Sequence, residues 1–186
     1  MNALFKRLES LSLDIYAISN NIQELFKNKA FFCHLTGLKL SLRFDPIFAE
    51  IPHLCKKLNS FSFNFQSGID DERPEFRSLL TSMQQLTRLK SLGFSWPTER
   101  KNFWSHFKPL PSLEYLLLTV STHSLINDGF FEKEKLENIV SHWENIKELK
   151  TLEFTLSCSD FKEFSMGKMF MTKVLKKAQS LKTLKF

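Results

Sequence analysis

The sequence lacks any stretch able to cross a bilayer. Its longest run without a charged side chain, Tyr115 to Asn127, is 13 residues, against the roughly 20 that a spanning helix needs. A signal-peptide pattern is also missing, because Lys6, Arg7 and Glu9 come before any apolar run develops. Cysteine is sparse and odd in number, with Cys33, Cys55 and Cys158 only. That argues against a disulfide framework and for a reducing, intracellular setting, cytoplasmic or nuclear. With 5 Gly and 6 Pro, the chain is neither collagen-like nor linker-like. Catalytic signatures are absent too: there is no phosphate-cradling glycine loop, no GxSxG, no HExxH and no CxxC. The expectation is a chain that is not an enzyme and takes no cofactor and no metal. The acidic trio Asp70, Asp71 and Glu72 lacks the ordered ligand spacing of a calcium loop.

What is present is enough apolar surface for one core. Of 186 residues, 42% are apolar and 25% charged, which suits a single folded domain over residues 1–186. The dominant signal is internal repetition. Seven frames recur: LESLSLDI from Leu8, LTGLKLSL from Leu35, LNSFSFNF from Leu58, LKSLGFSW from Leu89, LEYLLLTV from Leu113, LKTLEFTL from Leu149 and LKTLKF from Leu181. Each opens with Leu and carries Leu or Phe three and five residues on. The apolar–polar alternation is the period of a strand with one buried face.

Between frames the period changes. Phe76, Leu79, Leu80, Met83, Leu86 and Leu89 recur at three- and four-residue steps, as do Leu136 to Leu149 and Met171 to Leu181. Such spacing predicts amphipathic helices. Asp45-Pro46 reads as an N-cap followed by a first helical residue, and Pro74 and Pro97 fit first-turn positions. The slot three residues before each frame holds Phe5, Phe32, Cys55, Leu86, Leu110, Ile146 and Ala178. Cys55 is therefore expected to be a small buried hydrophobe rather than a nucleophile paired with His53.

Frame starts are 27, 23, 31, 24, 36 and 32 residues apart. A strand, loop, helix and return of about 29 residues resembles the leucine-rich repeat family, in its ribonuclease-inhibitor-like branch of long repeats. The resemblance runs from Leu8 to Phe186. It implies an α/β leucine-rich repeat solenoid of about seven repeats, with a curved parallel β-sheet on the concave face and helices on the convex face. The family's Asn or Cys at the ninth frame position is replaced here by Tyr16, Arg43, Gln66, Pro97, Ser121 and Ser157. A less regular turn region is expected in consequence. No cap pattern precedes Leu8 or follows the last frame. This suggests a fragment or uncapped copy of a longer array, or open edges that could pair with another copy.

The third, fifth and seventh frame residues should line the concave face. Ten of the first eighteen are Ser or Thr, so that face is expected to be polar and shallow. Tyr115 and Leu117 are the exceptions and the best candidates for a contact centre, unless a local loop after Val120 covers Leu117. Lys39, Asn64, Thr119 and Glu153 complete the candidate partner-binding set.

The formal net charge is +6. Residues 1–167 are balanced, and the excess is Lys168, Lys173, Lys176, Lys177, Lys182 and Lys185. These lysines read as the solvated face of a helix. No Arg accompanies them to fork a phosphate, so nucleic acid is not expected as a partner. The repeat resemblance implies a non-catalytic protein–protein interaction module. Two further roles of the fold stay open. One is the substrate-receptor arm of a ubiquitin ligase, although no F-box-like helical segment precedes Leu8. The other is a GTPase activator, for which Arg100 is the one candidate finger.

Overall fold

The computed structural model describes residues 8–15, 26, 29–43, 45–66, 74–96, 110–121, 148–157, 172 and 180–185. Seven strands form one parallel sheet in sequence order. They are β1 (Ser10–Ile15), β2 (Gly37–Arg43), β3 (Ser60–Gln66), β4 (Ser91–Trp96), β5 (Tyr115–Ser121), β6 (Thr151–Ser157) and β7 (Thr183–Lys185). Each strand begins on the third residue of a leucine frame. Neighbours pair so that like frame positions lie side by side, as in Leu38 beside Phe61 and Leu92 beside Leu116. Parallel neighbours require a crossover of a dozen or more residues, and every frame spacing provides one.

The alternation within each frame sorts the side chains. Leu38, Leu40, Phe61, Phe63, Leu92, Phe94, Leu116, Leu118 and Leu152 are buried, as are the frame-opening Leu35, Leu58, Leu89, Leu113 and Leu149. Full burial of one such side chain contributes roughly 1.5–3 kcal/mol. Phe63 and Phe94, partners in register, stack with ring centroids 5.5 Å apart. Toward the edges the same positions are only half-buried: Leu8, Leu11 and Leu13 at β1, Leu181 and Leu184 at β7.

A repeated backbone device sets this register. Before four frames a tight turn closes with the amide of the opening Leu donating three residues back, from Leu35 to Phe32, Leu58 to Cys55, Leu89 to Leu86 and Leu113 to Leu110, at 3.0–3.2 Å. The carbonyl of the second frame residue then accepts two amides of the next strand. Glu9 O takes Thr36 N and Gly37 N at 2.7 and 3.0 Å, and the pattern recurs at Thr36, Asn59, Lys90, Glu114 and Lys150. Both lone pairs of these carbonyls are thereby used.

The connections pack their apolar side chains into the same core. Helix α1 is Lys29–Phe32, a 3₁₀ turn η1 covers Pro46–Glu50, α2 is Ile51–Leu54, α3 is Pro74–Ser82 and a second 3₁₀ turn η2 is Met83–Gln85. Pro74 opens α3, where its missing N–H costs nothing. Phe76, Leu79 and Leu80 of α3 are buried. The helix then tightens, because Met83, Leu86 and Leu89 recur every three residues, the period of a 3₁₀ turn rather than an α-helix. Asp45 caps η1 as its sequence predicts, accepting from Ile47 N at 2.9 Å. The element that follows is a 3₁₀ turn and one α-turn instead of an amphipathic α-helix. Its frame spacing of 23 residues is the shortest in the chain and leaves no room for more.

Cys55 lies in the buried slot, with its thiol pushed up to about 12 by burial first and by Cys33 second. It carries no thiolate at neutral pH, and His53 beside it in sequence is exposed. Cys33 and Cys55 are both free thiols. No helix among the described residues is long and apolar enough to cross a membrane.

Candidate functional site

The third, fifth and seventh frame residues occupy the sheet face opposite the core. On β2 to β6 the described side chains of this face are exposed or half-buried, apart from Gly93. One cross-strand row runs through Ser12, Lys39, Ser62, Gly93, Leu117, Glu153 and Lys185. Gly93 is covered by its neighbours. A Cβ there would stand 3.0 Å from Ser62 Oγ and 3.6 Å from Leu117 Cδ2. The missing side chain lets Leu117 lie against β4 while part of it remains open to solvent.

Beside Leu117 a polar cluster spans three strands. Tyr115 on β5 donates its hydroxyl to Glu153 Oε2 on β6 at 2.8 Å. Lys185 on β7 donates to the same oxygen at 3.1 Å. Tyr115 and Glu153 are diagonal neighbours, at the third and fifth frame positions of adjacent strands, which is within reach of an aromatic side chain. Burial pushes the Tyr115 phenol up to about 12, and the hydrogen bond and charge of Glu153 add to this. Glu153 is held below the usual carboxylate range, by the Tyr115 hydrogen bond first and by Lys185 second. The Lys185–Glu153 pair is open to solvent, with side chains 60% and 29% exposed, so it orients Glu153 more than it stabilises the fold.

A titration tests this geometry. Replacing Glu153 by Gln removes the carboxylate charge but leaves the burial, so the Tyr115 phenol should ionise at lower pH without returning fully to 10. Absorbance at phenolate wavelengths reads this directly, since the chain has only 2 Tyr. The sign for stability follows from the raised value. The unfolded phenol ionises near 10 and the folded one near 12, so this contribution is complete below pH about 10 and is lost as pH rises toward 12. Tyr115→Phe should flatten that part of the alkaline denaturation profile. An identical alkaline slope in parent and variant would contradict the raised phenol pKa.

A second charged cluster sits at the strand-entry rim. Glu114 bridges Lys90 at 3.1 Å and Lys150 at 2.8 Å. The Lys150 hydrogen bond is the chief reason its carboxyl is held low. The two lysines are exposed and Glu114 is half-buried at the surface, and such bridges add little stability.

The structure brings four of the six candidates together. Tyr115, Leu117 and Thr119 are half-buried on β5, with Glu153 half-buried on β6. Lys39 is exposed in the same row as Leu117 but three strands away, about 14 Å at ordinary strand spacing. Asn64 is exposed on β3, two strands from β5. Lys185, whose charge reads in the sequence as part of a solvated helix face, stands instead on strand β7 beside Glu153. Its alignment with Glu153 at the fifth frame position was the signal available. Several expectations fall outside the described residues. These are the helices over 136–147 and 173–179, Pro97, the loop that follows β5, the Asp70–Glu72 trio, Arg100, and Lys168, Lys173, Lys176 and Lys177. Among the described residues no group of three or more His, Cys, Asp or Glu side chains could hold a metal ion. No protein-family model matches this chain, and no curated protein sequence matches it.

Proposed function

We propose that this chain is a divergent leucine-rich repeat solenoid that works as a non-catalytic protein-recognition module, binding a protein partner through the sheet face centred on Tyr115 and Leu117. Three features support the repeat reading. The strands share one leucine frame, each frame pairs with the next at like positions, and the same doubly accepting carbonyl links each strand to its neighbour. A face built from successive parallel strands is rigid before a partner arrives, and so loses little entropy on binding.

One observation carries the site. Leu117 is a half-buried aliphatic side chain on an otherwise polar face, flanked by a Tyr115–Glu153–Lys185 network that holds its carboxylate in place. An apolar centre beside oriented polar groups is the usual anatomy of a protein contact. The recognition is passive, with no bond made or broken.

The test is affinity capture by the tagged full chain, compared with its Leu117→Ala variant. Leu117 is half-buried, so truncation should cost about 1 kcal/mol, well below the loss at fully buried Leu116. The same substitution should release the captured partner. A partner retained equally by both proteins would move the contact off β5. Capture of an adaptor that links to a cullin would favour the ubiquitin-ligase alternative for the same fold.

A further inference from the structure

The turns that enter β2, β3 and β4 form a second surface, separate from the sheet face. The residue three positions before each strand is His34, Lys57 and Arg88 in turn, and all three are exposed. Lys56, next to Lys57, is exposed as well. The carbonyl links from Thr36 to Asn59 and Ser60, and from Asn59 to Lys90 and Ser91, set these turns side by side. Backbone spacing between successive turns is therefore that of neighbouring strands, about 4.8 Å. No acidic side chain among the described residues pairs with Lys56, Lys57 or Arg88. Acids flank the strip on both sides, with Glu9 at the entry to β1, Glu114 at the entry to β5 and Glu148 at the entry to β6.

We propose that this basic strip docks an acidic α-helix of a partner protein, whose carboxylates at i and i+4 meet Lys57 and Arg88. The spacing carries the assignment. Side chains three or four residues apart on a helix stand about 5–6 Å apart at Cβ, close to the step between successive turns. Lys57 and Arg88 have long side chains that absorb the small mismatch. Arg88 matches a carboxylate with two parallel donors, whereas Lys57 acts as a point charge. A nucleic-acid backbone fits less well. It carries a continuous line of phosphates, and along this rim it would run past Arg88 onto Glu114 and Glu148.

The experiment measures binding of three labelled probes to the full chain by fluorescence anisotropy at 50 and 200 mM salt. The probes are a helical peptide with Glu at every fourth position, a peptide of the same composition in scrambled order, and a single-stranded oligothymidylate. The ordered peptide should bind at least tenfold more tightly than the scrambled one and weaken at the higher salt. Lys57→Gln with Arg88→Gln should abolish that preference. Lys29→Gln with Lys182→Gln, which removes equal charge from exposed sites elsewhere, should preserve it, and so should Leu117→Ala. Equal affinity for the two peptides, or equal loss in both double variants, would reduce the strip to general basicity and overturn the assignment. Tighter binding of the oligothymidylate would overturn it in favour of nucleic acid. Circular dichroism of each variant verifies folding, and loss through Leu117→Ala would tie the strip to the sheet face and defeat its independence.

Discussion

Leu116→Ala should destabilise the protein by about 2–5 kcal/mol, read as a shift in the denaturant midpoint. Leu116 is fully buried at the centre of the core face of β5, in register between Leu92 and Leu152. Neighbours on both sides are held by their own strands and cannot close over the gap, so the cavity term adds to the lost transfer energy. A loss of this size is a large fraction of an ordinary domain's 5–15 kcal/mol. The neighbouring Leu117→Ala provides the internal control. Both variants remove the same atoms from adjacent residues, and only the face differs. A change below about 1 kcal/mol for Leu116→Ala would mean that the strand is turned over.

Phe48→Ala should cost about 3–5 kcal/mol by the same measurement. Phe48 is fully buried on η1. Its ring meets Phe26 edge-on at 5.3 Å, and Phe26 stacks on Phe32 at 4.4 Å. Truncation removes one member of a three-ring cluster as well as its buried area, and an aromatic pair adds about 0.5–1.5 kcal/mol beyond area alone. Phe48→Leu should recover most of the loss, because it refills much of the volume without the ring geometry. Equal destabilisation by Ala and Leu would shift the explanation from volume to the aromatic contacts.

The comparison between sequence and structure is clearest in particular residues. Leu116 and Leu117 are chemically identical and adjacent, yet the frame alone assigns one to the core and the other to the open face. Strand geometry has a period of two, so one anchored leucine orients all its neighbours. The burial of Cys55 was legible in the same way, from a slot that aromatic and aliphatic residues fill before other strands. The connection after Asp45 was less legible. Its cap is written in two residues, but a 3₁₀ turn and an α-helix begin with the same signals. The distance left to the next frame chose between them.

The candidate site was legible as a set of residues but not as an arrangement. Tyr115 stood out because it is large on a face of small hydroxyls. Nothing local to it shows that its hydroxyl reaches Glu153, 38 positions later, or that Lys185 shares the same oxygen. Nor did composition reveal that Lys56, Lys57 and Arg88 gather on two successive turns, since the sequence's conspicuous basic excess lies after residue 167.

By itself, then, the sequence determined which side chains of each strand turn inward and where each strand begins, because those depend on local periodicity and burial. Only the tertiary structure decided which outward-facing groups meet. Such contacts form between residues 23 to 38 positions apart, and their geometry depends on parallel register and on how each intervening segment returns the chain.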